Sequence, residues 1–193
     1  MASAESQGSP SYDNLVHHIP AEIQPSCERA ANLDEEIADL SLAAADCSPG
    51  GPVIGVMYAS MHDFNALWEM YRAAASGENV TLNSGNCEMA TPCESRWRQL
   101  GGEPSPRVTH EISVKRGNHV RGGRVLAWVT GDASWVEWFD GNTNILAMAW
   151  GDSDQLGALL DWWKHQGGPD HPLPEGTGGM PAPIQSPGAG DGM

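Results

Sequence analysis

Two stretches of the chain share one order of apolar and polar positions. In VMYASMHDFNALWEMY, Tyr58 precedes Ser60, and Phe64, Leu67, Trp68 and Tyr71 follow that serine at offsets of 4, 7, 8 and 11. In MAWGDSDQLGALLDWW, Trp150 precedes Asp152, and Leu156, Leu159, Leu160 and Trp163 fall at the same four offsets. Apolar side chains at that spacing line one face of a helix. Ser60 and Asp152 stand where an N-cap belongs, with Asp63 and Gln155 three residues on, at the capping-box position. The run before each cap reads as a strand. The pattern predicts an α+β domain: an antiparallel sheet from two pseudo-repeated strand–helix halves, about 13–76 and 107–166, covered by two helices.

The rest of the chain fills in around these units. Residues 1–12 are small and polar and are expected to be disordered. Leu15, Val16 and Ile19 open the apolar pattern, and Pro20 suits the first turn of a short helix to Cys27 with Ile19 and Ile23 facing inward. Asn32 to Glu36 reads as an acidic turn, Leu40–Asp46 and Val53–Ala59 as strands, and Ser48–Pro52 as the tight turn between them. The helix of the first unit is placed at about Ser60–Ala75. The stretch from Ser76 to Pro106 is the least regular, with a short helix at about Glu94–Leu100. Val108, His110, Ile112 and Val114 alternate with polar residues, the period of a half-buried strand. Strands follow at about Arg124–Thr130, Ser134–Phe139 and Asn144–Trp150, with turns at Gly131-Asp132 and Asp140-Gly141-Asn142. A helix at about Asp152–His165 closes a single domain over 13–166. Residues 167–193 hold 14 Gly or Pro among 27 and are read as a disordered tail.

Composition narrows the function classes. The 193 residues carry 25 acidic and 10 basic side chains, a formal charge of −15, which argues against a nucleic-acid partner because phosphate neutralisation needs surplus cations. No apolar stretch approaches the roughly 20 residues that span a bilayer, so membrane insertion is not expected. The first residues have neither the basic nor the apolar region of a secretory signal. The charges are not evenly spread: seven of the ten basic residues lie between Arg96 and Arg124, and seven acids with no Lys or Arg lie between Ala30 and Met70.

The four cysteines, Cys27, Cys47, Cys87 and Cys93, include no Cys-x-x-Cys and no histidine at zinc-finger spacing, so no metal is expected. Three disulfide pairings are formally open, as are buried free thiols. Cys27–Cys47 with Cys87–Cys93 is the most economical, each pair bracketing one irregular segment. Disulfides imply an oxidising, extracytoplasmic compartment; without them a cytoplasmic or virion-associated protein is the alternative.

Three groups of residues are candidates for function. Of the histidines, His62 beside Asp63 reads as a helix-terminus pair, and no serine or cysteine stands in a nucleophile elbow, so neither an enzyme nor a cofactor is expected. Six tryptophans fall within 36 residues. On the strand Ser134–Phe139, Trp135, Glu137 and Phe139 share one face and Val136 and Trp138 the other. Trp162 and Trp163 project about 100° apart, and Trp163 matches the apolar stripe, which leaves Trp162 the more exposed of the two. The glycine-spaced run Lys115, Arg116, Arg121 and Arg124 offers guanidinium forks to an anion. Trp135, Trp138 and Trp162 with these four cations make the candidate binding surface, and its expected partner is a protein or cell-envelope ligand.

From Leu15 to Lys164 the chain resembles the extracytoplasmic C-terminal module of some actinobacterial serine/threonine kinases and of related secreted or hypothetical actinobacterial proteins. The resemblance rests on LVHHIPAEIQPSC at 15–27, AAADC at 43–47, VMYASMHDFNALWEMY at 56–71, GGRVLAWV at 122–129, SWVEWFDGNTNILAMAW at 134–150 and LGALLDWW at 156–163. It implies a sensing or docking module. The family pattern also implies a cysteine where this chain has Ala127, bonded to one in the preceding loop; here the second cysteine has either moved to Cys93 or has no equivalent. None of a kinase's own motifs is present. The competing expectation is a structural or assembly protein of a larger particle such as a virion, as a homo-oligomer or with its tail ordered by partners.

Overall fold

A computed structural model describes residues 10–82, 84, 87, 92–99, 107–109, 121–141 and 143–168. The described strands form one eight-stranded antiparallel sheet in the order β1-β2-β3-β8-β7-β6-β4-β5. These are β1 (Cys27–Arg29), β2 (Ser41–Cys47), β3 (Gly55–Met61), β4 (Cys93–Gln99), β5 (Arg107–Thr109), β6 (Arg121–Thr130), β7 (Ala133–Asp140) and β8 (Ile145–Asp152). Four helices accompany them: α1 (Pro10–Val16), α2 (Glu35–Leu40), α3 (Phe64–Gly77) and α4 (Leu156–Trp162). The class is α+β. Among the described residues no helix is long and apolar enough to cross a membrane.

Side chains alternate between two separate apolar clusters, one on each face of the sheet. Along β3 every residue is buried, with Val56 and Tyr58 in one cluster and Met57, Ala59 and Met61 in the other. The first face is covered by α1 and α4, through Tyr12, Leu15, Leu156, Leu159, Leu160 and Trp162. The second is covered by α2 and α3, through Ile37, Ala66, Leu67, Tyr71 and Ala75. A sheet buried on both sides needs apolar residues at successive positions, as Val56-Met-Tyr-Ala59 supplies.

The two similar strand–helix units turn out to be neighbours, with β3 and β8 paired antiparallel along Gly55–Ser60 and Ile145–Trp150. Their helices nevertheless lie on opposite faces. A two-fold axis normal to the sheet between antiparallel neighbours keeps both helices on one face, so the units are not a symmetric pair. The caps also move. Ser60 and Asp152 are strand residues, and each helix starts three positions later than the apolar offsets suggested. Asp63 is the N-cap of α3, its carboxylate accepting from the amides of Asn65 and Ala66 at 2.8 and 2.9 Å. Gln155 caps α4 without a side-chain bond.

Other expectations are corrected by local packing. The helix over Pro10–Val16 begins inside the stretch expected to be disordered, because Tyr12 and Leu15 bury on the sheet. The guanidinium of Arg29 lies 4.7 Å from the Tyr12 ring centroid. Pro20–Cys27 is a turn and a short 3-10 segment, Gln24–Ser26, although Ile19 and Ile23 do face inward. The acidic turn is followed by α2, whose buried Ile37 anchors it. The segment from Glu94 is strand β4 and not a helix, as the period-two order of Cys93, Ser95 and Trp97 on the first face requires. Gly167, expected in the tail, is buried in a π-helical turn, Trp163–Gly167, and its carbonyl accepts from Tyr58 Oη at 2.9 Å. Beyond β5 the strand expected to run to Val114 lies outside the described residues, as does the tail from 169.

Both economical disulfides are present, Cys27–Cys47 and Cys87–Cys93. The first joins cross-strand partners on β1 and β2; closing a 20-residue separation stabilises by about 3 kcal/mol on the chain-entropy account. In the second, Cys93 stands directly across from Ala127. Trp97 reaches over Gly123 to donate its indole N–H to the Phe139 carbonyl at 3.0 Å, bridging three strands. A Cβ at 123 would stand 1.7 Å from that oxygen, which restricts the position to glycine.

The packing of α4 yields a test. Trp162 is 4% exposed, packed edge-on against Trp138 with ring centroids 6.4 Å apart and lying over Gly167. Trp162→Ala should cost about 3–5 kcal/mol in urea unfolding; a loss under about 1 kcal/mol would place the ring outside the core.

Candidate functional site

The residues expected to form one surface are distributed between the two faces and the interior. Trp138 is 2% exposed and sits in the first core between Tyr58, Trp162 and Trp163. Trp162 is buried too, because the π-helical turn after α4 lets two consecutive indoles pack on the same sheet. Neither is available for docking. Arg124 is also withdrawn from solvent, buried by α3 and paired with a glutamate. Lys115 and Arg116 lie outside the described residues, and Arg121 begins β6. Among the described side chains of this group, Trp135 alone remains partly exposed on the sheet.

On the second face, three parallel rows cross the strands. Trp128, Trp135 and Trp150 are direct neighbours on β6, β7 and β8. Trp128 and Trp135 stack at 6.1 Å with planes 10° apart, and Trp150 follows at 5.9 Å. The row ends over Gly55, where a Cβ would meet the Trp150 ring at 2.3 Å. Trp128 is buried, whereas Trp135 and Trp150 are partly exposed. The next row runs Glu94, Leu126, Glu137, Met148, Met57. The third holds Arg96, Arg124, Phe139, Leu146 and Ala59.

Two glutamates in the middle row are interior, with opposite circumstances. Glu94 has no exposed surface and is fully engaged. Arg124 donates to it through Nε and, at 3.0 Å, through Nη2, and Tyr71 Oη donates at 3.1 Å. The Arg124 guanidinium also stands 5.3 Å from the Trp68 ring centroid. This bidentate, charge-assisted cluster ties α3 to β4 and β6. Burial works against the Arg124 charge, but the hydrogen bonds and field of Glu94 outweigh it and raise its pKa. Burial first, then the charges of Glu94 and Glu137, push the Tyr71 hydroxyl well up.

Glu137 is 4% exposed and lies between Leu126 and Met148, with Trp135 and Phe139 two residues away on the same strand face. Its Oε1 has no hydrogen-bond partner among the described residues, and the buried indole nitrogens of Trp128 and Trp135 have none either. Desolvation raises its pKa to about 8. At neutral pH it is chiefly an uncharged acid held in an aromatic interior.

The face shared by Trp135, Glu137 and Phe139 follows from simple alternation along β7. The Glu94–Arg124–Tyr71 cluster was missed. Its signal was the alternation of Cys93, Ser95 and Trp97 against Glu94 and Arg96, which marks a strand with one charged side. No family model, no curated protein and no solved structure matches the chain.

A pH dependence follows from Glu137. Its folded pKa, about 8, lies above the ordinary 4.5, so the folded state holds the proton more tightly. The stability it contributes is full at pH below about 4.5 and is lost as pH rises towards 8. Glu137→Gln keeps the shape without the titration. In urea unfolding the variant should gain on the wild type by on the order of 3 kcal/mol between pH 5 and 8. Parallel curves for the two proteins would show that Glu137 ionises normally.

Proposed function

We propose that this chain is a binding or sensor-like module that works in an oxidising, extracytoplasmic compartment, and that it acts by binding, without catalysis. The observation that carries this is the row Trp128–Trp135–Trp150. A core has no need to leave two indoles of a three-ring ladder partly in solvent, whereas a recognition surface gains from rigid aromatic area that costs little entropy to order. The row rests on central strands pinned from both faces, so its geometry is set before a ligand arrives. The two disulfides support the compartment, as does the resemblance to extracytoplasmic modules of actinobacterial kinases. The expected partner is a cell-envelope component or a protein segment that lies along the partly exposed indoles.

This surface replaces the one expected from the sequence. Trp135 is retained, Trp150 and Trp128 are added, and Trp138, Trp162 and Arg124 are removed.

Ligand-observed NMR against solubilised cell-envelope fragments tests the reading. Fragments that bind the wild type should lose at least about ten-fold in affinity to Trp135→Ala and Trp150→Ala, with disulfides intact. Equal binding by the variants would remove the tryptophan row from the function. For the compartment, titration with a thiol reagent should find no free thiol in freshly purified unfolded protein and four after reduction, one for each cysteine. Four free thiols before reduction would overturn it.

A further inference from the structure

We propose that the tryptophan row and the Glu137 carboxylate together form a binding site for an organic cation, a primary or quaternary ammonium on a small apolar body. The proposal rests on the reading of the row as a binding surface and adds the chemical class of its ligand.

Three observations converge on it. The first is an interior carboxylate oxygen without a donor. Glu94, in the same cross-strand row, has a guanidinium and a phenol, while Glu137 Oε1 has no partner among the described residues. A buried acceptor left unmade costs free energy that a ligand can recover. The second is what surrounds it: Trp135 along the strand and Met148 directly opposite are partly exposed, and Trp150 adjoins Trp135. Indole rings on the same strand face as a carboxylate suit a weakly hydrated cation, which a ring face attracts through its quadrupole and which a single carboxylate neutralises. A hard metal ion would need several oxygen ligands in place of those rings. The third is that the unpaired indole N–H groups of Trp128 and Trp135 offer donors to a hydroxyl or carbonyl on the same molecule.

Met148, across from Glu137 and partly exposed, is an unbranched side chain able to change rotamer at little cost and so to admit a ligand. The other ionisable groups packed about this part of the face, Tyr71 from α3, Glu94 from β4 and Arg124 from β6, satisfy one another. None of them hydrogen-bonds to Glu137 Oε1. A chain with formal charge −15 also draws cations towards it.

Choline and its uncharged isostere 3,3-dimethylbutan-1-ol are suitable probes, followed by tryptophan fluorescence and calorimetry on the full chain. Choline should bind saturably and about ten-fold more tightly than the isostere. Binding should strengthen between pH 6 and 9 and release a proton at pH 7, since the carboxyl must ionise to receive the cation. Glu137→Gln should abolish the preference for charge and the proton release, and Trp135→Leu should weaken both probes. Equal affinity for the two probes, no saturable choline binding, or a charge preference unchanged in Glu137→Gln overturns the cation assignment. The proton release and the isostere comparison are read on the wild type and do not depend on a variant folding. Failure here with envelope fragments still lost by Trp135→Ala would leave the tryptophan surface standing and reject only its ligand class.

Discussion

Burial of both faces of one sheet is the constraint from which the other features follow. With α1 and α4 on one side and α2 and α3 on the other, most side chains of the central strands are withdrawn from solvent, those of Trp135, Met148 and Trp150 only in part. The charged and aromatic residues in the middle of these strands must then be packed, paired or neutralised. Trp138 is packed among other rings, Arg124 and Glu94 are paired, and Glu137 is neutralised by holding its proton. The same constraint explains why Gly123, Gly55 and Gly167 occupy points where an indole or a carbonyl closes on the backbone.

The buried ion pair and the buried acid belong to one electrostatic system. Bringing Glu94 and Arg124 into the interior costs desolvation that their bidentate contact and the Tyr71 hydroxyl offset. Such a pair fixes where α3 crosses the sheet more sharply than apolar contact alone. It also commits the nearby cation. Glu137, two positions further along the same cross-strand row, has Leu126 and Met148 directly across from it. Its charge, once it ionises, pushes the Tyr71 hydroxyl further up. The aromatic row lies next to this latent charge, so structure and recognition share the same residues.

Much of the sheet was legible in the sequence. Alternation along Ser134–Phe139 and the turn signals at Gly131-Asp132 and Gly141 give β6, β7 and β8 nearly to their ends, and the opposite orientations of Trp135 and Trp138 follow from the same period. What was not legible depended on contacts distant in sequence. The helix that starts at Phe64 matches its apolar offsets but not its cap, because the strand before it runs through Ser60 to pair with β8. Trp162 looked exposed on a regular helical wheel; the π-helical turn and Gly167 bury it. Glu94 and Arg124 appeared as ordinary charges, being 30 residues apart. Glu137's isolation could not be read from β7 alone, since its cross-strand neighbours come from β6 and β8.

The central claim is that the sheet's second face is dry enough to hold Glu137 uncharged beneath the tryptophans. Carbon-detected NMR of the Glu137 side-chain carboxyl through a pH titration measures this directly. The account predicts a midpoint near 8. A midpoint near the ordinary glutamate value of about 4.3 would show the carboxyl to be solvated, and would contradict the buried face on which the assigned site depends.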